Sequence, residues 1–185
     1  MKKITIMALH LGYGGIEKAI ASLANGLSKN YKVEIVSVYK LYSQPAFPID
    51  KRVKIKYLMN YGPNKKELKD SIKSKKIVKI LYEMSKSAKI LYLKRKLMIN
   101  YIKNCNSDVI ISTRDIHNKI LGKYAKKEVL KIGWEHNHHN NNPKYIKRII
   151  NSVKGLDIFV LVSNELKEFY ESKIINKPKC VYIPN

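Results

Sequence analysis

A glycine-rich stretch near the amino terminus constrains the fold of this chain more than any other feature. Gly12, Gly14 and Gly15 separate an apolar run, residues 4–9, from an amphipathic pattern over residues 16–28. A buried run followed by a glycine loop and a helix is typical of the opening of an α/β protein. Glycines let the backbone approach a ligand closely, and the free N–H groups of a helix N-terminus attract anions. The sequence therefore predicts a βα unit that handles phosphate.

The spacing of the glycines argues against the common nucleotide-binding motifs. The dinucleotide fingerprint G-x-G-x-x-G would need a third glycine where the chain has Glu17. The second predicted strand, residues 33–38, also ends without an acidic residue to hold a ribose. A P-loop is excluded because no Gly-Lys-Ser or Gly-Lys-Thr follows. A tight turn without any ligand is the alternative interpretation of the loop.

Strand and helix patterns alternate along the chain. The predicted strands are residues 4–9, 33–38, 53–58, 108–112, 129–134, 158–162 and 180–183. Such alternation is typical of a parallel sheet with helices on both faces. Right-handed crossovers place ligands at the carboxyl ends of the strands in such a sheet. We therefore expect an α/β, Rossmann-like fold.

Four segments together resemble the N-terminal domain of family-4 (group 1) glycosyltransferases of the GT-B type. They are, in order, residues 14–19 (GGIEKA), 131–137 (KIGWEHN), 156–163 (LDIFVLVS) and 181–185 (VYIPN). They are similar to that family's opening glycine loop, its strand ending in a functional histidine, its Asp-to-Ser strand and its Ile-Pro-Asn-Gly crossover. The resemblance implies the N-terminal half of a GT-B fold.

The same resemblance implies a domain organisation and an activity. Residues 1–185 would form a single N-terminal, acceptor-side domain, and a C-terminal donor-binding domain would lie outside this chain. The implied reaction is a retaining transfer from a nucleotide-diphosphate sugar to a glycan or lipid-linked acceptor, in bacterial surface polysaccharide synthesis. We expect no cofactor bound by this domain and no activity of the fragment alone. A naturally short protein is the alternative.

The resemblance also assigns roles to residues at the predicted sheet edge. His136 would lie beside the donor sugar as the catalytic site residue, positioning and polarising it without acting as a base. Gly14 and Gly15 would contact the donor diphosphate. His138 and His139 extend the histidine cluster, but a metal would need further ligands from elsewhere, and none is expected.

Four polar residues are candidates for substrate binding. Glu17 could meet the acceptor, although a carboxylate in a first helical turn is favourable in any case. Arg114 has a fork geometry that suits an acceptor phosphate, with an ion pair to Asp115 or another acid as the alternative. Glu135 and Asn137 flank the histidine of the third segment. After the sixth strand, residues 163 and 164 (Ser-Asn) are expected to cap a helix.

The charge of the chain favours anionic partners. Its 37 Lys and Arg against 14 Asp and Glu give a net charge of +23, which attracts nucleic acid or anionic lipid. Part of this charge fits an AT-rich coding bias, since Lys, Ile, Asn and Tyr are all abundant. No nucleic-acid-binding motif is present, so we expect no nucleic acid partner. A basic Rossmann-like nucleic-acid-binding domain, or a non-catalytic interaction domain, is the alternative function.

Residues 65–104 are the most basic part of the chain, with 13 basic and three acidic residues. A basic amphipathic helix can lie on an anionic membrane, each basic residue near the surface contributing about 1 kcal/mol. We expect the lysines to meet lipid and the apolar stripe to face the core; an ordinary solvated face is the alternative. The helically spaced apolar residues are Ile77, Ile80, Leu81, Met84, Ala88, Leu91, Met98 and Ile102.

The remaining features predict a cytoplasmic protein that is peripheral at the inner face of the plasma membrane. Cys105 and Cys180 have no metal-ligand spacing and indicate no disulfide framework. We expect no signal peptide, because the apolar run after the basic residues 2 and 3 is short and ends at His10 and the glycines. No apolar run approaches the ~20 residues of a transmembrane helix.

Overall fold

Seven parallel strands form one sheet in the computed structural model, which describes residues 1–184. In chain order they are β1 (Lys3–Ala8), β2 (Lys32–Tyr39), β3 (Lys54–Met59), β4 (Val109–Ser112), β5 (Leu130–Glu135), β6 (Ile158–Leu161) and β7 (Lys179–Tyr182). Across the sheet the order is β3-β2-β1-β4-β5-β6-β7, and every neighbouring pair is parallel. Each predicted strand is present within one residue of its predicted bounds.

Helices cover both faces of this sheet. They are α1 (Gly15–Leu27), α2 (Lys65–Lys73), α3 (Ile77–Asn104), α4 (Asp115–Tyr124), α5 (Pro143–Val153) and α6 (Asn164–Glu171). Alternate residues of each strand point to opposite faces. Ile4, Ile6 and Ala8 of β1 pack in the cluster that contains α1, whereas Met7 packs in the cluster of α3 to α6. The predicted Rossmann-like α/β fold is confirmed.

The strand order reverses between β1 and β4, and this reversal places the candidate site. The chain leaves β1 toward β2 and β3, then crosses over to β4 and continues the other way. Ligands of such sheets bind in the crevice outside the carboxyl ends of the strands at this point. The glycine loop follows β1, Arg114 follows β4 and His136 follows β5, so all three lie at that crevice.

The expectation that the apolar stripe of α3 faces the core is wrong for its first half. Ile90, Met98 and Ile102 are buried, but the residues nearer the N-terminus are exposed. The cause is length, because a 28-residue helix spans ~42 Å whereas the longest strand, with eight residues, spans about 26 Å. The exposed residues are Ile77, Leu81, Met84, Ala88 and Leu91.

Three smaller expectations concern single residues. The Ser163 Oγ accepts a hydrogen bond from the Leu166 N–H at 3.2 Å and caps α6, as predicted. Asn164 is instead the first residue of α6, and its side chain donates to Glu168 Oε1 at 2.7 Å. Asn185, the last residue of the expected crossover segment, lies outside the described residues.

Among residues 1–184, no helix is long and apolar enough to cross a membrane.

Candidate active site

The glycine loop is shaped by the side chains that pack against it. A Cβ at Gly12 would lie 2.6 Å from the ring of Tyr42, and a Cβ at Gly14 would overlap Oε2 of Glu17. A Cβ at Gly15 would meet nothing within 4 Å. Gly14 is the N-cap of α1, and no side chain caps this helix. Gly12 and Gly14 are therefore required by packing, whereas Gly15 leaves open space at the helix N-terminus.

Glu17 is a buried carboxylate between the ends of β1 and β4. Its side chain is only 5% exposed. Its Oε1 accepts a hydrogen bond from Nη2 of Arg114 at 3.3 Å and lies 3.5 Å from Nδ1 of His10. The His10 Nδ1 accepts the Gly12 N–H at 3.2 Å, so the proton of a neutral His10 lies on Nε2. Sequence reasoning gave His10 no role, although its place directly before the loop was a usable signal.

Arg114 joins the two halves of the site. Its partner is Glu17, 97 residues away, and not the adjacent Asp115, which pairs with Arg148 at 3.0 Å. The Nε of Arg114 is buried and has no hydrogen-bond partner among the described residues. An unpaired buried donor of a charged group is costly. This N–H is therefore a donor whose hydrogen-bonding capacity is unused among the described residues.

His136 is a neutral imidazole at physiological pH. Burial, and then the nearby positive charge of Arg114, lower the pKa of His136 to about 4. Its ring centroid lies 4.2 Å from that of Trp134. The Nε2 of His136 and the Nε1 of Trp134 are both buried without partners among residues 1–184. A neutral ring with a free nitrogen can position a hydroxyl by one hydrogen bond but cannot supply a charge.

Trp134 also lines an open cleft of about 550 Å³ beside α1. The other walls include Gly15 at the start of α1 and Ile183 after β7. Trp134 belongs to the third motif segment, residues 131–137, but had no predicted role of its own. The period of two along β5 places it on the α1 side of the sheet, and this signal was available from the sequence.

Glu135 and Asn137 are hydrogen-bonded to each other and do not face the group formed by His10, Glu17 and Arg114. Oε1 of Glu135 accepts two hydrogen bonds from Asn137, one from the backbone N–H at 2.9 Å and one from the side-chain Nδ2 at 3.2 Å. The same oxygen accepts a third hydrogen bond from the Tyr145 hydroxyl at 3.1 Å. Burial raises the pKa of Glu135. Because Tyr145 belongs to α5, this carboxyl lies on the sheet face opposite Trp134. Both residues brace the loop after β5, and their contact with substrate stays a prediction.

The remaining histidines of the cluster are packed on one another. The rings of His138 and His139 stack at 4.5 Å, and His139 also stacks on Phe169 at 3.9 Å. No group of three His, Cys, Asp or Glu side chains with metal-binding geometry occurs in the described part of the chain.

Solved structures share this fold. Sucrose-phosphate synthase from Thermosynechococcus elongatus matches with a TM-score of 0.62 and 9% identity, over 100% of this chain and 48% of that chain. The apo form of the lipopolysaccharide outer core galactosyltransferase WaaB matches with a TM-score of 0.62 and 16% identity, over 100% of this chain and 46% of that chain. The chain thus has the fold of about half of a GT-B glycosyltransferase, and the predicted resemblance is confirmed.

One curated relative is an exopolysaccharide phosphotransferase of Streptomyces coelicolor. It is 23% identical over 181 residues, which cover 93% of this chain and 19% of the relative. The chain therefore spans about half the length of the two solved glycosyltransferases and about a fifth of this relative. No protein-family model matches the chain.

Proposed function

We propose that this domain is the acceptor-side half of a retaining glycosyltransferase that uses a nucleotide-diphosphate sugar. The proposal is carried by three of the buried polar atoms that have no partner among residues 1–184, namely Arg114 Nε, Trp134 Nε1 and His136 Nε2. They come from the carboxyl ends of β4 and β5, beside Glu17 at the reversal of strand order. Buried polar groups normally have partners, so these atoms mark the place of a polar ligand. Sugar hydroxyls and phosphate oxygens are ligands of this kind.

The proposed chemistry needs positioning and charge stabilisation. The bond between C1 of the donor sugar and the diphosphate oxygen breaks, and the acceptor hydroxyl oxygen bonds to C1. The hydroxyl proton leaves with the diphosphate. Neutral His136 holds a sugar hydroxyl near the reacting carbon, and the Arg114 guanidinium offsets the developing negative charge. Gly14, Gly15 and the α1 N-terminus face the diphosphate, where free N–H groups favour an anion.

The proposal extends to a second, donor-binding domain and to bacterial surface polysaccharide synthesis in the cytoplasm. The proposed second domain is supported by two solved glycosyltransferases, because the whole of this chain matches only about half of each of them. The name of the exopolysaccharide phosphotransferase supports a polysaccharide acceptor. That relative's name also raises a second chemistry, phosphotransfer, in which the bond that breaks would join the two phosphates of the donor. Glycosyl transfer would release a nucleoside diphosphate, whereas transfer of a sugar phosphate from the same donor would release the monophosphate.

The test is His136→Ala in the full-length protein that carries this domain. We expect turnover to fall at least about 100-fold with the fold intact, since one positioned polar contact contributes ~2.7 kcal/mol to the transition state. His138→Ala is the matched control, because that side chain is 44% exposed and its nearest acid, Glu165, is 3.8 Å away. Nucleoside di- and monophosphate release would be measured by chromatography. Near-normal turnover of His136→Ala would refute the assignment of His136 to the active site. Release of the nucleoside monophosphate in place of the diphosphate would refute glycosyl transfer.

We further propose that the protein rests on an anionic membrane through α3. Its exposed residues Ile77, Leu81, Met84, Ala88 and Leu91, hereafter the α3 apolar face, recur at intervals of four and three and so share one side of the helix. Exposed Arg95 continues this face one turn beyond Leu91, and exposed Lys89 and Lys96 lie along one side of it. Contiguous exposed apolar surface rimmed by charge marks an interaction site, and the positive rim complements anionic lipid. Both insertion and electrostatic attraction would therefore contribute.

Vesicle flotation tests this surface. We expect recovery with phosphatidylglycerol vesicles and not with neutral ones, and weaker binding in high salt because exposed charges are screened. Leu81→Gln with Met84→Gln should weaken binding, as should Lys89→Gln with Lys96→Gln. The control is Ile175→Gln, which alters an apolar residue 85% exposed outside α3. Equal recovery with neutral and anionic vesicles, or full binding by both double variants, would overturn the proposal.

A further inference from the structure

Three aromatic side chains form an exposed group beside the glycine loop. The ring of Tyr13 lies edge-on to those of Tyr42 and Phe47, with centroids 6.0 and 6.4 Å apart. Tyr13 is 76% exposed and Tyr42 is 50% exposed. Tyr13 follows β1, and the other two follow β2. These three residues, hereafter the aromatic group, therefore lie at the same sheet edge as the candidate active site.

The aromatic group is tied to the loop that carries the site. The Ala46 N–H donates to the Leu11 carbonyl at 2.9 Å and joins the loop after β2 to the glycine loop. The Tyr42 ring packs so closely on Gly12 that a Cβ there would lie 2.6 Å away. Edge-to-face contacts hold the rings in a favoured geometry. The rings are thus positioned in advance and are not simply loose surface side chains.

The chemistry of these rings suits a pyranose. A tyrosine ring offers an apolar face to the C–H groups of a sugar ring while its hydroxyl stays in water. An exposed aromatic surface of this kind beside polar groups is typical of a binding site. The group lies on the β1–β2 side of Glu17, whereas Arg114 and His136 lie on the β4–β5 side. A sugar on the aromatic group would therefore be a different ring from the donor sugar held by His136.

We propose that Tyr13 and Tyr42 form a stacking subsite for a pyranose ring of the acceptor glycan. This inference rests on the proposed glycosyl transfer and names the acceptor as a sugar chain at this part of the site. The loss of one stacked aromatic contact should weaken sugar binding by about tenfold. Tyr13→Phe keeps the ring and should bind like the unchanged protein.

Saturation-transfer NMR on the 185-residue chain tests the subsite with maltose, lactose, cellobiose and chitobiose. We expect transfer to the C–H protons of at least one disaccharide, about tenfold weaker binding in Tyr13→Ala and Tyr42→Ala, and rescue by Tyr13→Phe. The matched control is Tyr31→Ala, since Tyr31 is 38% exposed at the turn before β2. Absence of transfer from all four sugars, or equal binding by the alanine variants, would overturn the subsite.

A second measurement separates this inference from the proposed function. His136→Ala in the same chain should retain disaccharide binding, because His136 is assigned to the donor side. If both alanine variants lose sugar binding while His136→Ala keeps normal turnover in the full-length protein, the subsite stands and the active-site assignment fails. If turnover depends on His136 while sugar binding is indifferent to Tyr13 and Tyr42, the subsite fails and glycosyl transfer stands.

Discussion

At the scale of single residues, Gly14 is kept without a side chain by Glu17 and not by backbone conformation. Its φ of 161° is extended, whereas a Cβ would overlap the buried carboxylate that Arg114 holds. Gly14→Ala should therefore displace Glu17 and lower the free energy of unfolding by about 1–3 kcal/mol. Gly15→Ala, whose Cβ has open space, should change it by less than about 0.5 kcal/mol. Urea denaturation measures both, and equal losses would contradict this account.

His117 should make the folded protein sensitive to acid. It is wholly buried in α4 with neither ring nitrogen hydrogen-bonded among residues 1–184. Burial, then the charges of Arg114 and Lys94, lower its pKa to about 3. The unfolded state, with a pKa near ~6.5, takes up this proton first as the pH falls. Stability is thus complete above about pH 6.5 and is lost as the pH falls toward 3, by about 2 kcal/mol at about pH 5.

The variant His117→Leu tests this dependence. It should be at least as stable as the unchanged protein at neutral pH, because a buried polar ring without partners is removed. Its free energy of unfolding should fall less between about pH 7 and about pH 5 when measured by urea denaturation. Some acid dependence should persist, since the lowered pKa of His136 acts in the same direction. If the free energy of unfolding of His117→Leu falls with pH as much as that of the unchanged protein, His117 does not contribute to the acid sensitivity.

At the scale of elements, α4 touches the chain just after α5 through bare backbone. A Cβ at Gly122 would lie 2.8 Å from Cα of Gly155. Gly122→Ala should therefore force the two segments apart and lower the free energy of unfolding by about 1–3 kcal/mol. Gly26→Ala in α1 is the control, because nothing lies within 4 Å of its Cβ and alanine favours a helix by up to about 1 kcal/mol. A stabilising Gly122→Ala would contradict this contact.

The strands were predictable from local sequence, but their order in the sheet and the division of residues 65–104 into α2 and α3 were not. Short apolar runs bounded by polar and glycine residues fix the strands locally, so their bounds agree within one residue. Whether α3 is covered depends on its length relative to the sheet, which is a tertiary property. The Glu17–Arg114 pair joins residues 97 apart, whereas the local sequence offered Asp115 or another acid without indicating which. The alternation of side chains along β5 could have placed Glu135 on the α5 face.

At the scale of the whole molecule, the candidate site and the two proposed contact surfaces all lie toward the carboxyl edge of the sheet. Glu17, Arg114 and His136 lie at the carboxyl edge of the sheet, and the aromatic group borders them on the β1–β2 side. Helix α3 ends at Asn104, shortly before β4 begins at the opposite edge, so its first half, with the apolar face, lies toward the carboxyl edge. A membrane bound by that face would therefore lie toward the same edge of the sheet as the proposed acceptor subsite.

The open edge leads to a prediction about the chain by itself. Arg114 is 30% exposed and His136 is half-buried, so water reaches the place where the diphosphate would leave. Glycosyl transfer requires water to be excluded and the leaving group to be stabilised from all sides. We therefore expect the 185-residue chain to unfold cooperatively in urea but to turn over UDP-, GDP- and CDP-sugars only at background. The full-length protein, assayed with the same donors, is the comparison. Robust turnover by the chain alone would show that one domain suffices and would refute the proposed need for a second, donor-binding domain.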